Sequence, residues 1–110
     1  MRGSTNASFV GNAEYITMPT GTSGAIRKCQ IAPKTYLYTF IDIISASTGD
    51  ITIDTLPSEN SSCNGRASPM INPNDGRITA TVYILNGSTT VKLRVFSAND
   101  YIVGSFVAGF

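Results

Sequence analysis

Alternation of apolar with polar or small positions is clearest in the carboxyl-terminal half of the chain. Ile78, Ala80, Val82 and Ile84 alternate with Thr79, Thr81, Tyr83 and Leu85, and beyond Asn86-Gly87 the residues Val91, Leu93 and Val95 alternate with Lys92 and Arg94. A period of two puts successive side chains on opposite faces of a strand. The stretch therefore predicts a β-hairpin with Asn86-Gly87 in a type I′ turn and with Lys92 and Arg94 on a solvent face. Upstream, Thr35 to Ser45 is the most apolar segment, with Leu37, Ile41 and Ile43 on one side and Tyr36, Tyr38, Phe40 and Ile44 on the other. Its β-branched and aromatic content favours a strand. Thr48-Gly49-Asp50 then predicts a turn into a second run, Ile51 to Leu56, as a second hairpin. Pro33 and Pro57 fall just outside these two strands, where no ladder donor is needed.

Between Pro57 and Gly76 the texture changes to Ser, Asn, Pro and Gly, and Pro69, Pro73 and Asn74-Asp75-Gly76 interrupt any regular pattern. Two readings stand side by side: an irregular excursion of the kind that carries binding, or a stretch holding a short strand near Met70 and Ile71. Shorter strand candidates are Ala7 to Val10, Glu14 to Met18, Ala25 to Ile31 and Tyr101 to Phe110. No window has helical periodicity. Roughly eight short strands separated by turn residues predict an all-β fold, an antiparallel sandwich, jelly roll or small barrel.

At 110 residues the chain has the size of one domain. Met1 to Ser4 reads as an expression-vector leader, leaving 5–110 as a single domain. Apolar residues make up 42% and charged residues 14%, enough apolar surface for a core and too much for disorder. A net charge of +1 gives no clustered cations for nucleic acid or for an anionic membrane. No apolar run approaches the roughly 18 to 20 residues of a membrane span. Cys29 and Cys63 could close a loop that a disulfide would stabilise by roughly 4 kcal/mol, or they could be two separate buried small hydrophobes, the reading that a lone pair of cysteines favours.

The chain contains no histidine, which excludes a Ser-His-Asp triad, a Cys-His pair and histidine-rich metal sites within one chain. Two cysteines cannot make a four-thiolate zinc site, and no glycine-rich phosphate loop opens a helix. No cofactor, metal or catalytic residue is expected. Asp42, Asp50, Asp54, Glu59 and Asp75 could in principle supply a pair of carboxylates for glycoside hydrolysis. Most sit at turns where acids are routine. Asp42, by alternation, shares the face of Tyr36, Tyr38 and Phe40 and there needs a partner. Asn6, Asn60 and Asn86 begin N-x-Ser patterns, but matches of this kind arise by chance at such Asn and Ser content.

Residues Tyr36, Tyr38 and Phe40, together with Tyr83, give more outward apolar surface than one small core needs. A homo-trimer with these aromatics near its axis would bury them, since obligate interfaces resemble domain cores. The alternative is a strand sandwiched within one subunit, with loops covering its outer face.

The stretch Lys28-Cys29-Gln30-Ile31-Ala32-Pro33-Lys34-Thr35-Tyr36-Leu37-Tyr38-Thr39-Phe40 resembles the opening strand of complement-type and tumour necrosis factor-like jelly rolls. Thr79 to Leu85, Asn86-Gly87, Val91-Lys92-Leu93 and the closing Ser105-Phe106-Val107-Ala108-Gly109-Phe110 are similar in order to the last strands of those heads. The same architecture is found in knobs at the tips of phage tail needles and fibres. The resemblance implies a trimeric, non-enzymatic attachment head on a virion surface or otherwise extracellular, binding a saccharide or protein receptor on a cell surface. The expected contacts lie in the Ser58 to Asp75 stretch, with Asn64, Arg66 and Asn72, and at the turn of Asn99, Asp100 and Tyr101, where the tyrosine could stack on a sugar ring. A rival from another class is a monomeric secreted lectin or adhesin module stapled by Cys29 and Cys63.

Overall fold

The structure is a computed structural model and describes residues 13–109. Its elements are β1 (Glu14–Tyr15), β2 (Thr22–Ala32), β3 (Thr35–Ser45), β4 (Gly49–Thr55), a short 3₁₀ turn (Ser58–Ser62), β5 (Arg66–Ile71), β6 (Ile78–Ile84), β7 (Thr90–Val95) and β8 (Ile102–Ala108). The strands form one curled antiparallel sheet in the order β1-β2-β3-β8-β5-β6-β7-β4, a jelly-roll-like sandwich. One layer is β1-β2-β3-β8 and the other is β5-β6-β7-β4; they join where Ile71 of β5 meets Val103 of β8. The all-β class and the number of strands agree with the sequence pattern. The candidate strand at Ala7 to Val10 lies outside the described residues.

The pairing of β3 and β4 differs from the pattern. Residues after β3 do not turn back along it: β3 pairs with β2 and β8, whereas β4 crosses to the far edge and pairs with β7. The crossing is fixed by backbone hydrogen bonds from Ala46 to Gly21 and from Asn99 to Ser45 (2.9 and 2.7 Å), which hold the end of β3 to its own layer. The hairpin that β3 does form is with β2, through Pro33-Lys34, and Lys34 takes a left-handed φ of 63°. Of the two readings of the stretch after Pro57, the one with a strand near Met70 and Ile71 is observed, as β5, reached after the 3₁₀ turn and Cys63 to Gly65. Proline is tolerated within β5 at Pro69, although it removes a ladder donor.

The predicted β6–β7 hairpin is present, but its turn is not type I′. Ser88 N–H donates to Leu85 C=O at 3.0 Å and, of the two central residues, only Gly87 has positive φ (75°), the pattern of a type II turn. Val91, Leu93 and Val95 face the core, and Arg94 faces solvent, as alternation requires. Ala80, Val82 and Ile84 are buried with them, while Ile78, before the register shift opposite Ile71, is exposed.

Strand β3 supplies the main correction. Tyr36, Tyr38 and Phe40 are 8%, 0% and 1% exposed within a single chain. They meet Ile26, Phe106 and Ile102 from their own layer and Val82, Leu93 and Met70 from the other in one core. Their enclosure removes the physical ground for expecting a trimer through these rings; of the four aromatics expected at an interface, only Tyr83 reaches the surface, half-buried. Between Phe40 and Ile43 the register with β8 shifts at a bulge, where Asp42 has a φ of 48°. The extra residue reverses the alternation, so that Ile43 joins the inner face, Ile41 stays outside, and Asp42 points to solvent rather than beside the tyrosines. Cys29 and Cys63 are both half-buried and are not bonded to each other.

Candidate functional site

The residues expected to contact a ligand divide between the two ends of β5. Asn72, Asn99, Asp100 and Tyr101 come together at one end, where the β5–β6 and β7–β8 turns meet. Asn64 and Arg66 lie at the other, beside the β6–β7 turn. Arg66 and Asn72 are six positions apart on an extended segment, about 20 Å at the rise of a strand, so they do not form one site.

The Asp100 end is a knot of satisfied groups. The Asp100 carboxylate accepts hydrogen bonds from the Asn72 side-chain amide, the Arg77 guanidinium, Ser97 Oγ (3.1 Å) and the Tyr101 backbone N–H (3.0 Å). Desolvation pushes its pKa up, but the bonds from Asn72, Ser97 and Arg77 outweigh it and leave the carboxyl below its ordinary value. Asn72 is buried, and its Oδ1 caps the turn by accepting the Asn74 N–H at 2.8 Å. Asp75 pairs with the same Arg77 at 3.6 Å. Arg77 and Ser97 were not anticipated; they sit in turns, where side-chain pairing across two loops leaves no periodic signal. These groups spend their hydrogen bonds on one another and fix two turns.

The other end of β5 opens into a groove of about 650 Å³ on the outer face of β5, β6 and β7, within the range of small-ligand sites. Arg66 and Ala67 line it from β5 with Gly65 just before them, Thr81, Tyr83 and Ile84 from β6, Leu85 and Asn86 from the turn that follows, and Arg94 from β7 with Phe96 just after it. Alternation explains most of this set. Thr81, Tyr83 and Leu85 share the outward parity of β6, and Arg94 and Phe96 that of β7, while the inward residues between them fill the core. Phe96 and Leu85 are 51% and 62% exposed. The alternation predicted Leu85, Tyr83 and Arg94 outside, but the pattern alone could not show that Ala67, opposite Tyr83 on β5, would lie beside them.

Arg94 is held in place from behind. Its Nε and Nη2 donate to the two carboxylate oxygens of Asp50 on β4 at 2.8 and 3.2 Å, and its guanidinium lies 5.2 Å from the centre of the Tyr83 ring. The hydrogen bond from Arg94 lowers the Asp50 pKa, and the same bond raises that of Arg94. At the groove's end, Asn86 Oδ1 accepts the Gly65 N–H.

Other acids are placed singly. Asp54 accepts the Tyr38 hydroxyl at 2.6 Å and pairs with Lys28 at 2.8 Å across the two layers. Burial, then the bond to Asp54, drives the Tyr38 pKa far upward, so the phenol stays protonated and donates. Glu59 is exposed on the 3₁₀ turn. Asn60, the middle of the N-x-Ser patterns, is wholly buried, its Nδ2 donating to Lys34 C=O at 2.7 Å, which rules out a glycan on it in the folded chain. Among the described residues there is no group of three or more acids and cysteines suited to a metal ion, and no helix is long and apolar enough to cross a membrane.

No family model, no curated protein and no solved structure matches the chain. The likeness to tumour necrosis factor-like heads therefore rests on the residues quoted for it alone.

Proposed function

We propose that the chain is a non-enzymatic attachment domain that binds a cell-surface saccharide in the groove on the outer face of β5, β6 and β7, in the setting of a virion surface or another extracellular particle. The observation that carries this reading is the groove's lining: exposed Phe96 and Leu85 beside Thr81, Asn86 and Arg94. Sugar rings have an apolar C–H face and a polar rim, and sites that take them combine an aromatic or aliphatic platform with oriented hydrogen-bonding groups. The groove is of small-ligand size, whereas a protein receptor needs about 800 Å² on each partner.

Placement of the acids supports a binding rather than a catalytic role. Glycoside hydrolysis needs one carboxyl kept protonated near neutral pH opposite an ionised one. Asp50 and Asp100 are instead held below the ordinary carboxylate value by their arginines and amides, and Asp54 is bonded to Tyr38 and Lys28.

A glycan array probed with the purified domain and with Phe96→Ala and Thr81→Trp tests the reading. The wild-type domain is expected to bind a defined set of glycans, both groove variants to lose at least tenfold in affinity, and Asn99→Ala, at the far end of β5, to bind as wild type. Binding that survives both groove variants, or that disappears with Asn99→Ala, places the ligand elsewhere and overturns the proposal.

A further inference from the structure

At three places in the chain an asparagine or aspartate precedes a glycine: Asn64-Gly65, Asp75-Gly76 and Asn86-Gly87. In such pairs the glycine nitrogen can attack the side-chain carbonyl carbon and close a five-membered succinimide, because the following residue has no Cβ to stand in the way. We infer that folding leaves one of the three reactive: Asn86 is a site of spontaneous deamidation, and its product is an aspartate or isoaspartate in the wall of the groove. This chemistry is independent of what the groove binds.

The state of each glycine nitrogen separates the three pairs. Gly76 N–H donates to Asn72 C=O at 2.8 Å, and Asp75 Oδ1 accepts the Arg77 N–H at 3.0 Å, so both reacting groups are engaged. Gly65 N–H donates to Asn86 Oδ1. Gly65 is also wedged in place, since a Cβ there would stand 2.9 Å from both Asn86 N and Ile84 O. A nitrogen that gives its hydrogen to an acceptor must break that bond before it can lose the proton and attack, which protects Asn64. Gly87 N–H, by contrast, has no acceptor among the described residues. Asn86 is exposed, and the nearest atom to the Cβ position of Gly87 is Ser61 O at 3.9 Å. The turn is therefore free to rotate its central peptide and bring nitrogen and Cγ together.

The hydrogen bond that shields Asn64 also assists Asn86. As Gly87 N bonds to Asn86 Cγ, the carbonyl electron pair moves onto Oδ1, the atom that the Gly65 N–H faces. A backbone donor placed where negative charge develops lowers the barrier. The Gly87 proton passes to hydroxide or water, and Nδ2 takes up a proton and leaves as ammonia. Water then opens the ring. Breaking the bond from nitrogen to Cγ gives aspartate, and breaking the bond to the main-chain carbonyl gives isoaspartate, in which the chain runs through the side-chain carbon. The net change is one water consumed and one ammonia released. The new carboxylate lowers the formal net charge from +1 to zero and lies in the groove lining that Asn86 supplies.

Incubation of the purified, folded domain in mildly alkaline buffer, followed by tryptic mapping that separates aspartate from isoaspartate, tests this. Cleavage after Lys34, Arg66, Arg77 and Lys92 puts Asn64, Asp75 and Asn86 in three different peptides. Peptide 78–92 is expected to gain one mass unit, in aspartate and isoaspartate forms, at least fivefold faster than Asn64 converts in peptide 35–66. Peptide 67–77 should stay free of isoaspartate. In urea, where no fold distinguishes the two Asn-Gly pairs, their rates should converge. Asn86→Ala frees the Gly65 N–H and should raise conversion at Asn64 toward its rate in urea. Asn86→Asp, which keeps an acceptor for that N–H, should leave Asn64 as slow as in wild type. Asn86 converting only in urea, or Asn64 or Asp75 reacting as fast as Asn86 in the folded domain, overturns the inference. So does an Asn64 rate that Asn86→Ala leaves untouched.

Discussion

Single side chains in this molecule mostly serve either the interior or the groove, and Tyr38 shows how a polar atom is admitted to the interior. Its ring is fully buried, but its hydroxyl reaches Asp54 from the opposite layer, and Lys28 completes the group from β2 with its ammonium 5.0 Å from the centre of the Tyr36 ring. The charges of Lys28 and Asp54 are 14% and 19% exposed, deep enough that removing a partner is felt. Tyr38→Phe keeps the ring and deletes only the bond to the carboxylate, a loss of about 1.5–3 kcal/mol for a hydrogen bond to a charged group. Urea denaturation should show the midpoint falling with an unchanged slope. A variant as stable as wild type would mean that water replaces the hydroxyl and that the cross-layer bond adds nothing.

Among the elements, the strands are shaped by bulges as much as by alternation, and two glycines separate the causes. Gly24 on β2 has a φ of 94° and lies against the Asp42 bulge of β3; a Cβ there would stand 2.4 Å from the Asp42 carbonyl oxygen. Gly87 in the β6–β7 turn also has positive φ, but the nearest atom to its Cβ position is 3.9 Å away. Gly87→Ala therefore bears only the conformational penalty, about 1–2 kcal/mol. Gly24→Ala adds a backbone collision and should cost clearly more, read as the larger fall in thermal midpoint; equal costs would show that the bulge yields freely. These two positions also mark what could be read from the chain. Asn86-Gly87 announced its hairpin because a local φ requirement has a local residue signature. The bulge at Asp42 did not, since it depends on Gly24, which is distant in sequence, and it reversed the faces expected for Asp42 and Ile43. The β3-to-β4 crossover was hidden for the same reason: Thr48-Gly49-Asp50 permits a tight turn, and only the bonds of Ser45 and Ala46 to distant segments decide against it.

At the scale of the whole molecule, the surplus of apolar residues on β3 is resolved inside one chain. The two layers of the sandwich enclose Tyr36, Tyr38 and Phe40 between them, so a strand with two apolar sides needs no second subunit to cover its aromatic one. The groove was legible in part, because Tyr83 and Arg94 fall outward by alternation, whereas the contribution of β5 depended on a sheet order that no local pattern encodes. Enclosure of the rings makes a definite statement about stability and assembly. Phe40→Ala removes most of a buried ring and leaves a cavity, a change that typically costs about 3–5 kcal/mol. Because the neighbours that lose contact belong to the same chain, the loss is one of folding and not of association. The urea midpoints of wild type and variant should then differ by that amount, and each should be the same at protein concentrations differing a hundredfold. If these rings were the core of an obligate trimer, unfolding would be coupled to dissociation and the midpoint would climb with concentration, and Phe40→Ala would shift the sedimentation coefficient toward the monomer before it unfolded the chain.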